Sequence, residues 1–224
     1  MKNKNKSTVQ PAAPRLETMR PADADALRQQ ADDWTDRSME RGLIGPLAPS
    51  RAVWHNCLFR GVVFAGCRLH GAQLSDIRFE GCDLSNLALD GAALNRVEFV
   101  GCKLLGAALP DATLNHVRLE RCSGRYLNLS GSRLRQVQFE ECDLTEAAFN
   151  DCRFDGVAFG GSTLRSTEFS HTSLRGVDLR QSQLSDLRLN IDDLRGAVVA
   201  PMQALDLLPL LGVVVRTPTA EESQ

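Results

Sequence analysis

The stretch from residue 72 to residue 104 reads AQLSDIRFEGCDLSNLALDGAALNRVEFVGCKL, and a large apolar residue occupies every fifth position of it. These centres are Leu74, Phe79, Leu84, Leu89, Leu94, Phe99 and Leu104. The same register continues without insertion or deletion from Trp54 to Val199, and all nine phenylalanines lie in it. A helix repeats every 3.6 residues and a flat strand every two, so neither produces an unbroken period of five. The pattern predicts a coiled solenoid.

A second register lies two residues before each centre and carries small or β-branched residues, including all seven cysteines. Positions two apart on extended chain point to the same side, so both registers face inward. The remaining positions are rich in Gly, Asn, Asp, Ser, Arg and Glu, residue types that suit turns and solvent. Each quintet is therefore predicted to be a short strand followed by a corner.

The number of quintets in one turn follows from residue types that recur every 20 positions. Five phenylalanines are spaced by multiples of 20, and two further columns do the same: Ile77, Val97, Val117, Val137, Val157 and Val177; and Cys82, Cys102, Cys122 and Cys142. Four quintets per turn would stack like side chains on like, about 4.8 Å apart. We expect an all-β solenoid, a four-sided β-helix in which residues 59 to 194 form about seven coils and a rod about 34 Å long.

This pattern resembles the pentapeptide-repeat family, whose loose consensus Ala-(Asp/Asn)-Leu appears here as Cys82 to Leu84, Cys142 to Leu144 and Val177 to Leu179. The resemblance extends from Trp54 to Val199. It implies a right-handed quadrilateral β-helix, and the uninterrupted register is closest in outline to the loopless members that protect DNA gyrase from quinolones.

The flanks are expected to cap the solenoid, because open ends would expose apolar surface and unpaired backbone. We predict a disordered tail over residues 1–20, an N-terminal helical segment and linker over 21–50, the β-helix over 51–199, and a C-terminal cap or dimerisation helix and tail over 200–224. Residues 22–40 suit a helix, with Leu27, Trp34 and Met39 as its apolar anchors.

The segment from Leu194 to Gly212 resembles the C-terminal tail of gyrase-protecting members, in which the tail helps to form a dimer. The resemblance implies a homodimer here, with Leu205, Leu208 and Leu211 as the interface candidates. Simple capping by an apolar helix is the open alternative.

Composition excludes several classes of function. Lys and Arg number 26 and Asp and Glu 28, so the net charge of −2 and the pI near 6.1 provide no bulk field for direct binding of nucleic acid or an anionic membrane. No segment approaches the roughly 18 apolar residues of a membrane span. Seven cysteines without a Cys-x-x-Cys pair argue against a disulfide framework and a zinc ribbon, which predicts a cytoplasmic protein.

Catalysis needs polar groups that converge in a concavity, whereas a filled rod has flat faces. His55, His70, His116 and His171 occupy outer positions in different turns, and the stacked cysteines suit the role of small buried apolar residues. We therefore predict no catalytic residue, no metal site and no cofactor.

Two positions break the pattern. Gly124 is the one centre without a side chain, and the single tyrosine, Tyr126, follows it. Neighbouring side chains, among them the Tyr126 ring, would fill the gap, or the gap is a recognition notch. Asp192 occupies an inward position in the final turn, where a capping bond to the end of the rod would satisfy it.

Gyrase-protecting members are thought to imitate duplex DNA, which carries on the order of 20 phosphates over about 34 Å. Residues 51 to 199 hold 18 acids and 17 bases, so uniform mimicry is unsupported. The face that carries the Phe column is richer in acids, and the face of Leu74 is basic. The candidate partner-binding residues are Glu80, Glu98, Glu120, Glu140 and Glu141. Glu120 would stack over Glu140, a like-charge contact that needs Arg118 or Arg121 nearby.

The sequence thus favours a non-enzymatic rod that binds a protein. Its most specific form, from the family resemblance, is a DNA-mimicking protein that binds DNA gyrase or topoisomerase and confers antibiotic resistance. The alternative is a cytosolic scaffold or adaptor whose partner is unrelated to gyrase.

Overall fold

A computed structural model describes residues 9–214. Seven long strands follow one another at intervals of 20 residues. They are β2 (Asp33–Ile44), β3 (Val53–Phe64), β4 (Gln73–Glu80), β5 (Ala93–Val100), β6 (Thr113–Glu120), β7 (Arg133–Glu140) and β8 (Arg153–Gly160). Each pairs in parallel with the next, so that Leu74 lies beside Leu94 and Phe79 beside Phe99. The predicted stacking of residues 20 apart is confirmed.

Shorter elements complete the chain. The pair β1 (Arg20–Pro21) and α1 (Ala24–Gln29) precedes the first coil, and β9 (Thr163–Arg165) and β10 (Gln183–Ser185) pair across the last two coils. The helix α2 (Pro201–Leu207) and a 3-10 helix (Leu208–Leu211) close the C-terminal end. The molecule is a parallel β-solenoid of about eight turns.

A left-handed backbone residue forms the corner after each quintet. In one turn these are Asp76 (φ 54°), Gly81 (φ 59°), Asn86 (φ 56°) and Gly91 (φ 63°). Gly, Asn and Asp adopt this conformation most readily, which explains the composition of the turn positions. Four such corners per 20 residues make the coil four-sided.

The centres fill the interior as layers of stacked side chains. Phe59, Phe79 and Phe99 stack with ring centroids 5.1 Å apart and ring planes within 10° of parallel. Phe139 and Phe159 continue the same column on later coils at 5.1 Å. Burial of each such ring contributes most of the free energy that opposes chain entropy.

The second inward register carries small donors that bond to the preceding coil. The Cys82 thiol lies 3.4 Å from the Phe59 carbonyl oxygen, and the Ser132 hydroxyl donates to the Leu109 carbonyl at 2.8 Å. Burial raises the pKa of Cys57 to about 12 and that of Cys152 to about 11, so these thiols stay protonated. The cysteines therefore serve as small buried residues with a weak donor.

The first coil corrects the predicted N-terminal helix. That helix was expected over residues 22–40, but α1 ends at Gln29, and β2 forms a full coil beneath β3. Trp34 lies beside Trp54 and Met39 beside Phe59, so both anchors belong to the period of five. Pro49 and the polar neighbours of Trp34 hide the register in the sequence, and the solenoid begins one turn earlier than predicted.

The two irregular positions are resolved by packing. A side chain at Gly124 would meet Leu144 Cδ2 at 3.1 Å and Leu127 Cδ2 at 3.6 Å, so these leucines occupy the gap. Tyr126 turns outward and is 48% exposed, so the expectation that its ring fills the gap is wrong. Asp192 is also not inward, because it lies in an exposed turn and pairs with Arg195 at 2.9 Å.

Candidate partner-binding surfaces

The Phe face is the outer side of the quintets centred on Phe59, Phe79, Phe99, Leu119, Phe139 and Phe159. Four of the five predicted glutamates lie on it in one ladder of ion pairs. Arg60 bonds to Glu40 at 3.1 Å and to Glu80 at 2.7 Å, which joins coils one to three.

The ladder continues along the rod. Arg78 bonds to Glu80 at 2.6 Å and to Glu98 at 2.9 Å, and Glu98 lies beside Arg118 in the next coil. Arg118 then contacts Glu120 at 3.1 Å and Glu140 at 2.6 Å. The predicted like-charge contact between Glu120 and Glu140 is thus relieved by Arg118, with Arg121 also paired to Glu120.

These pairs decide the electrostatics of the Phe face. A hydrogen bond from Arg60, together with Arg78, lowers the pKa of Glu80 despite its partial burial. Glu98 is only 8% exposed. Among the described residues Glu141 is the one member of the five without an ion pair, and it occupies an exposed corner at φ 52°. The face is a neutralised ladder of mixed charge and does not present a row of free carboxylates.

The N-terminal residues lie against the solenoid and are not a disordered tail over their described part. The arm is defined here as residues 9–20. The Glu17 N–H donates to Asn56 Oδ1 at 2.9 Å, the Arg15 N–H to Asp76 Oδ1 at 2.8 Å, and the Ala12 N–H to His116 Nδ1 at 3.2 Å. The arm therefore crosses the coils along one corner of the rod. Residues 1–8 of the predicted tail lie outside the described part of the chain.

The receiving side chains form the corner row, defined as Asn56, Asp76, Arg96 and His116, which stand at the corner between the Leu74 face and the Phe face. Sequence analysis missed this row as a site. The available signal was the alternation of apolar residues in VQPAAPRLETM, which is unusual for a flexible tail.

The C-terminal end carries the predicted dimer residues. Leu205 is 45% and Leu211 59% exposed, whereas Leu208 is half-buried. Met202 and Val214 extend this apolar surface at 74% and 75% exposed. The part of the chain after residue 214 lies outside the described residues.

A buried amide that the sequence analysis missed attaches α2 to the rod. Gln203 Nε2 donates to the carbonyl oxygens of Leu179 at 2.7 Å and Ser182 at 2.6 Å, and Gln203 Oε1 accepts from the Ala200 N–H at 2.7 Å. The final coil thus has its free carbonyls satisfied by one side chain.

The histidines stay apart from one another. His70 lies 3.0 Å from Asp90 and His171 lies 3.3 Å from Asp151, on different coils. Within residues 9–214 no group of three His, Cys, Asp or Glu side chains is arranged to hold a metal ion. None of the helices in the same range is long and apolar enough to cross a bilayer.

Comparison with known proteins identifies the repeat. The model described as "Pentapeptide repeat region" matches residues 72–149, and the model "Pentapeptide repeats (8 copies)" matches residues 50–81 and 142–181. A search of curated protein sequences finds no match.

Solved structures provide a second comparison. A trypsin-treated variant of QnrB1, a plasmid-mediated fluoroquinolone resistance protein, is 27% identical, with a TM-score of 0.51 over 83% of this chain and 93% of that chain. A second trypsin-treated QnrB1 variant is 23% identical, with a TM-score of 0.45 over 90% and 98%. HetL, from the cyanobacterium Nostoc and involved in the regulation of heterocyst differentiation, is 18% identical, with a TM-score of 0.37 over 77% and 90%. The repeat models, the period of five and the four-sided coil agree, and the chain belongs to the pentapeptide-repeat family.

Proposed function

We propose that this chain is a non-enzymatic rod that binds DNA gyrase or a related topoisomerase and protects it from inhibitors. The observation that carries the proposal is the likeness to QnrB1, a fluoroquinolone resistance protein, over 93% of that chain at 27% identity. A filled solenoid without a concave polar site supports binding over catalysis. The proposal places the protein in the cytoplasm, where its target acts on DNA.

The Phe face is the proposed docking surface, through Glu80, Glu98, Glu120, Glu140 and Glu141. Its ion pairs change how the DNA-mimic hypothesis must be tested. Replacing Glu98 or Glu120 by lysine would place like charges beside Arg78 or Arg118 and damage the rod itself. Loss of binding in such variants would not distinguish recognition from misfolding.

Glu141 offers a cleaner test because the same coil contains a matched control. Glu141 and Glu146 are both exposed, and both occupy left-handed corners, at φ 52° and 57°. The two corners lie one side of the rod apart. We expect Glu141→Lys to weaken protection about tenfold and Glu146→Lys to leave it unchanged, since a lost charge-assisted contact is worth about 1.5–3 kcal/mol.

The decisive measurement is gyrase supercoiling titrated with this protein, with and without a quinolone. Relief of poisoning at low protein concentration supports the proposal. No effect at a large excess would contradict it. The neutralised ladder would then favour the second candidate, a scaffold or adaptor for another cytosolic protein, to be sought by pull-down from the native cytosol.

We further propose that two copies associate as a homodimer through the C-terminal end, with Leu205, Leu208 and Leu211 in the interface. The exposed fractions of Leu205 and Leu211 support this assignment. The double variant Leu205→Glu and Leu211→Glu should halve the mass measured by light scattering, because each glutamate would be buried without a partner. Arg195→Glu, 82% exposed on the same end, is the control that should keep the wild-type mass.

A further inference from the structure

The arm is held mainly through its backbone. Three N–H groups of the arm, those of Ala12, Arg15 and Glu17, donate to side chains on three different coils. The chain direction is across the coils, so the arm does not extend a sheet as an added strand. The recognition elements are acceptors that repeat along the corner row at one per coil.

The acceptors are prepared by the rod itself. Arg96 donates to Asp76 Oδ1 at 2.6 Å and to Asp76 Oδ2 at 2.5 Å, which fixes the carboxylate that accepts the Arg15 N–H. In the same way Asn56 Nδ2 donates to Asp36 Oδ1 at 2.6 Å and leaves Asn56 Oδ1 for the Glu17 N–H. Neighbouring coils thus orient both acceptors before the arm arrives.

Burial shows that the arm covers this corner. The Asp76 side chain is 2% exposed, and Asn56 is also 2% exposed, although both stand at outward corners. On the Leu74 face beyond the arm, Arg135 and Asp155 pair at 3.7 Å with side chains 72% and 77% exposed. The two sets of residues occupy similar places on successive coils, and they differ in whether a peptide lies over them.

The arm alternates in the way an extended ligand would. Arg15 and Glu17, which donate their N–H groups, are exposed, whereas Pro14 and Leu16 are half-buried. The side chains of the two donors therefore contribute little to the contact. Any extended segment with free N–H groups two residues apart and apolar residues between them has the required chemistry.

We propose that the corner row is a docking site for an extended peptide and that the arm is its resident, exchangeable ligand. The site accepts the backbone of a segment of this type when the arm is released, whether it comes from a second copy of the chain or from a partner protein. The proposal stands apart from gyrase binding, because its test uses only this chain and a peptide.

The test uses the full chain with Arg15→Pro and Glu17→Pro, which removes two donors without touching the rod. A fluorescently labelled peptide with the sequence of residues 9–20 is the probe, and fluorescence anisotropy measures its binding. A tethered arm competes at an effective concentration on the order of millimolar. We therefore expect the peptide to bind the double variant at least about tenfold more tightly than the wild type.

Controls separate main-chain recognition from general stickiness. A peptide with Ala13→Pro should bind like the wild-type peptide, since no bond from the Ala13 N–H holds the arm, whereas a peptide with both Arg15→Pro and Glu17→Pro should not bind. Asn56→Ala, added to the double variant of the full chain, should weaken binding of the wild-type peptide. An unchanged melting temperature of the rod shows that the fold is intact.

Two results would overturn the proposal. If amide hydrogen exchange of the arm is as slow in the double variant as in the wild type, the backbone bonds are not what docks the arm. If exchange of the arm becomes fast but the labelled peptide still does not bind, the corner row is not a site for an exchangeable ligand.

Discussion

The two ends of the rod are closed in different ways. At the N-terminal end, α1 buries Leu27 completely, and the adjoining Trp54 Nε1 donates to the Ala31 carbonyl at 2.8 Å. At the C-terminal end, α2 buries Gln203 and Leu207 but leaves Leu205 and Leu211 in solvent. Both caps satisfy backbone groups of the terminal coil, but only the N-terminal cap also buries its large apolar side chains.

The difference separates two requirements that a solenoid end must meet. Unpaired backbone at an edge invites further strand pairing, and each cap removes that risk by hydrogen bonds. Exposed apolar surface drives association. The C-terminal end meets the first requirement alone, which is why the proposed homodimer is placed there.

The largest expected effect tests this contrast with the same substitution at both ends. Leu27→Ala should cost about 2–5 kcal/mol, because a fully buried leucine leaves a cavity against the first coil. Leu205→Ala should cost less than about 0.5 kcal/mol in a monomeric background, since that side chain is 45% exposed. Thermal and urea unfolding measure both. Equal losses at the two ends would contradict the description of one end as closed and the other as open.

A somewhat smaller effect is expected at the hydrogen bonds of the C-terminal cap. Gln203→Ala leaves the Leu179 and Ser182 carbonyls without their donor and should destabilise the end of the rod by about 1–3 kcal/mol. Gln181→Ala, at an exposed position on the same coil, is the matched control and should be neutral. Hydrogen exchange of β10 reports the loss locally. Unchanged protection of β10 in Gln203→Ala would show that α2 docks without this amide.

Acidification should distinguish the ends further, because only the N-terminal arm rests on a carboxylate. Burial opposes the charge of Asp76, but bonds from Arg96 and the Arg15 N–H outweigh it and lower the pKa of this carboxyl. The stabilisation is therefore complete above the ordinary value of about 3.9 and is lost as the pH falls through the lower folded value.

We accordingly expect exchange of residues 14–19, corrected for intrinsic rates, to accelerate only below about pH 4. In Asp76→Asn this acceleration should disappear, since the amide oxygen still accepts the Arg15 N–H. The C-terminal cap, held by the neutral Gln203, should not respond over the same range. Loosening of residues 14–19 already between pH 7 and 5 would count against Asp76 as the responsible group.

The smallest effect is expected in the middle of the rod, at Gly124. An added methyl group would lie 3.1 Å from Leu144 Cδ2, beside a cavity of about 20 Å³ lined by residues that include Leu104 and Leu127. Gly124→Ala should change the free energy of unfolding by less than about 1 kcal/mol.

Gly131→Ala is the comparison. Its φ of 74° disfavours a side chain, and its Cβ would overlap Asp111 Oδ1. It should therefore be the more destabilising of the two, by about 1 kcal/mol. Melting temperatures in the reverse order would show that the gap at Gly124 is not simply filled by its neighbours.

The period of five, the four quintets per turn, the core and the role of the cysteines could all be predicted from the sequence. The physical reason is that each quintet packs on the residues 20 positions before and after it, so every structural contact recurs as a pattern in the chain. Leu74, Leu94 and Leu114 illustrate this, since the same residue type meets itself on successive coils.

Only the tertiary structure decided the contacts that do not recur. The pairing of Glu98 with Arg78 depends on which rotamer each side chain adopts among several neighbours of opposite charge, so the sequence supported an acidic face where the structure has a neutral ladder. The Arg15 N–H bonds to Asp76 across 61 residues, and Gln203 reaches back to Leu179 across 24, and no periodicity announces either contact. Trp34 and Met39 were misassigned to a helix because one coil with a weak pattern resembles an amphipathic segment until the neighbouring coil is placed beside it.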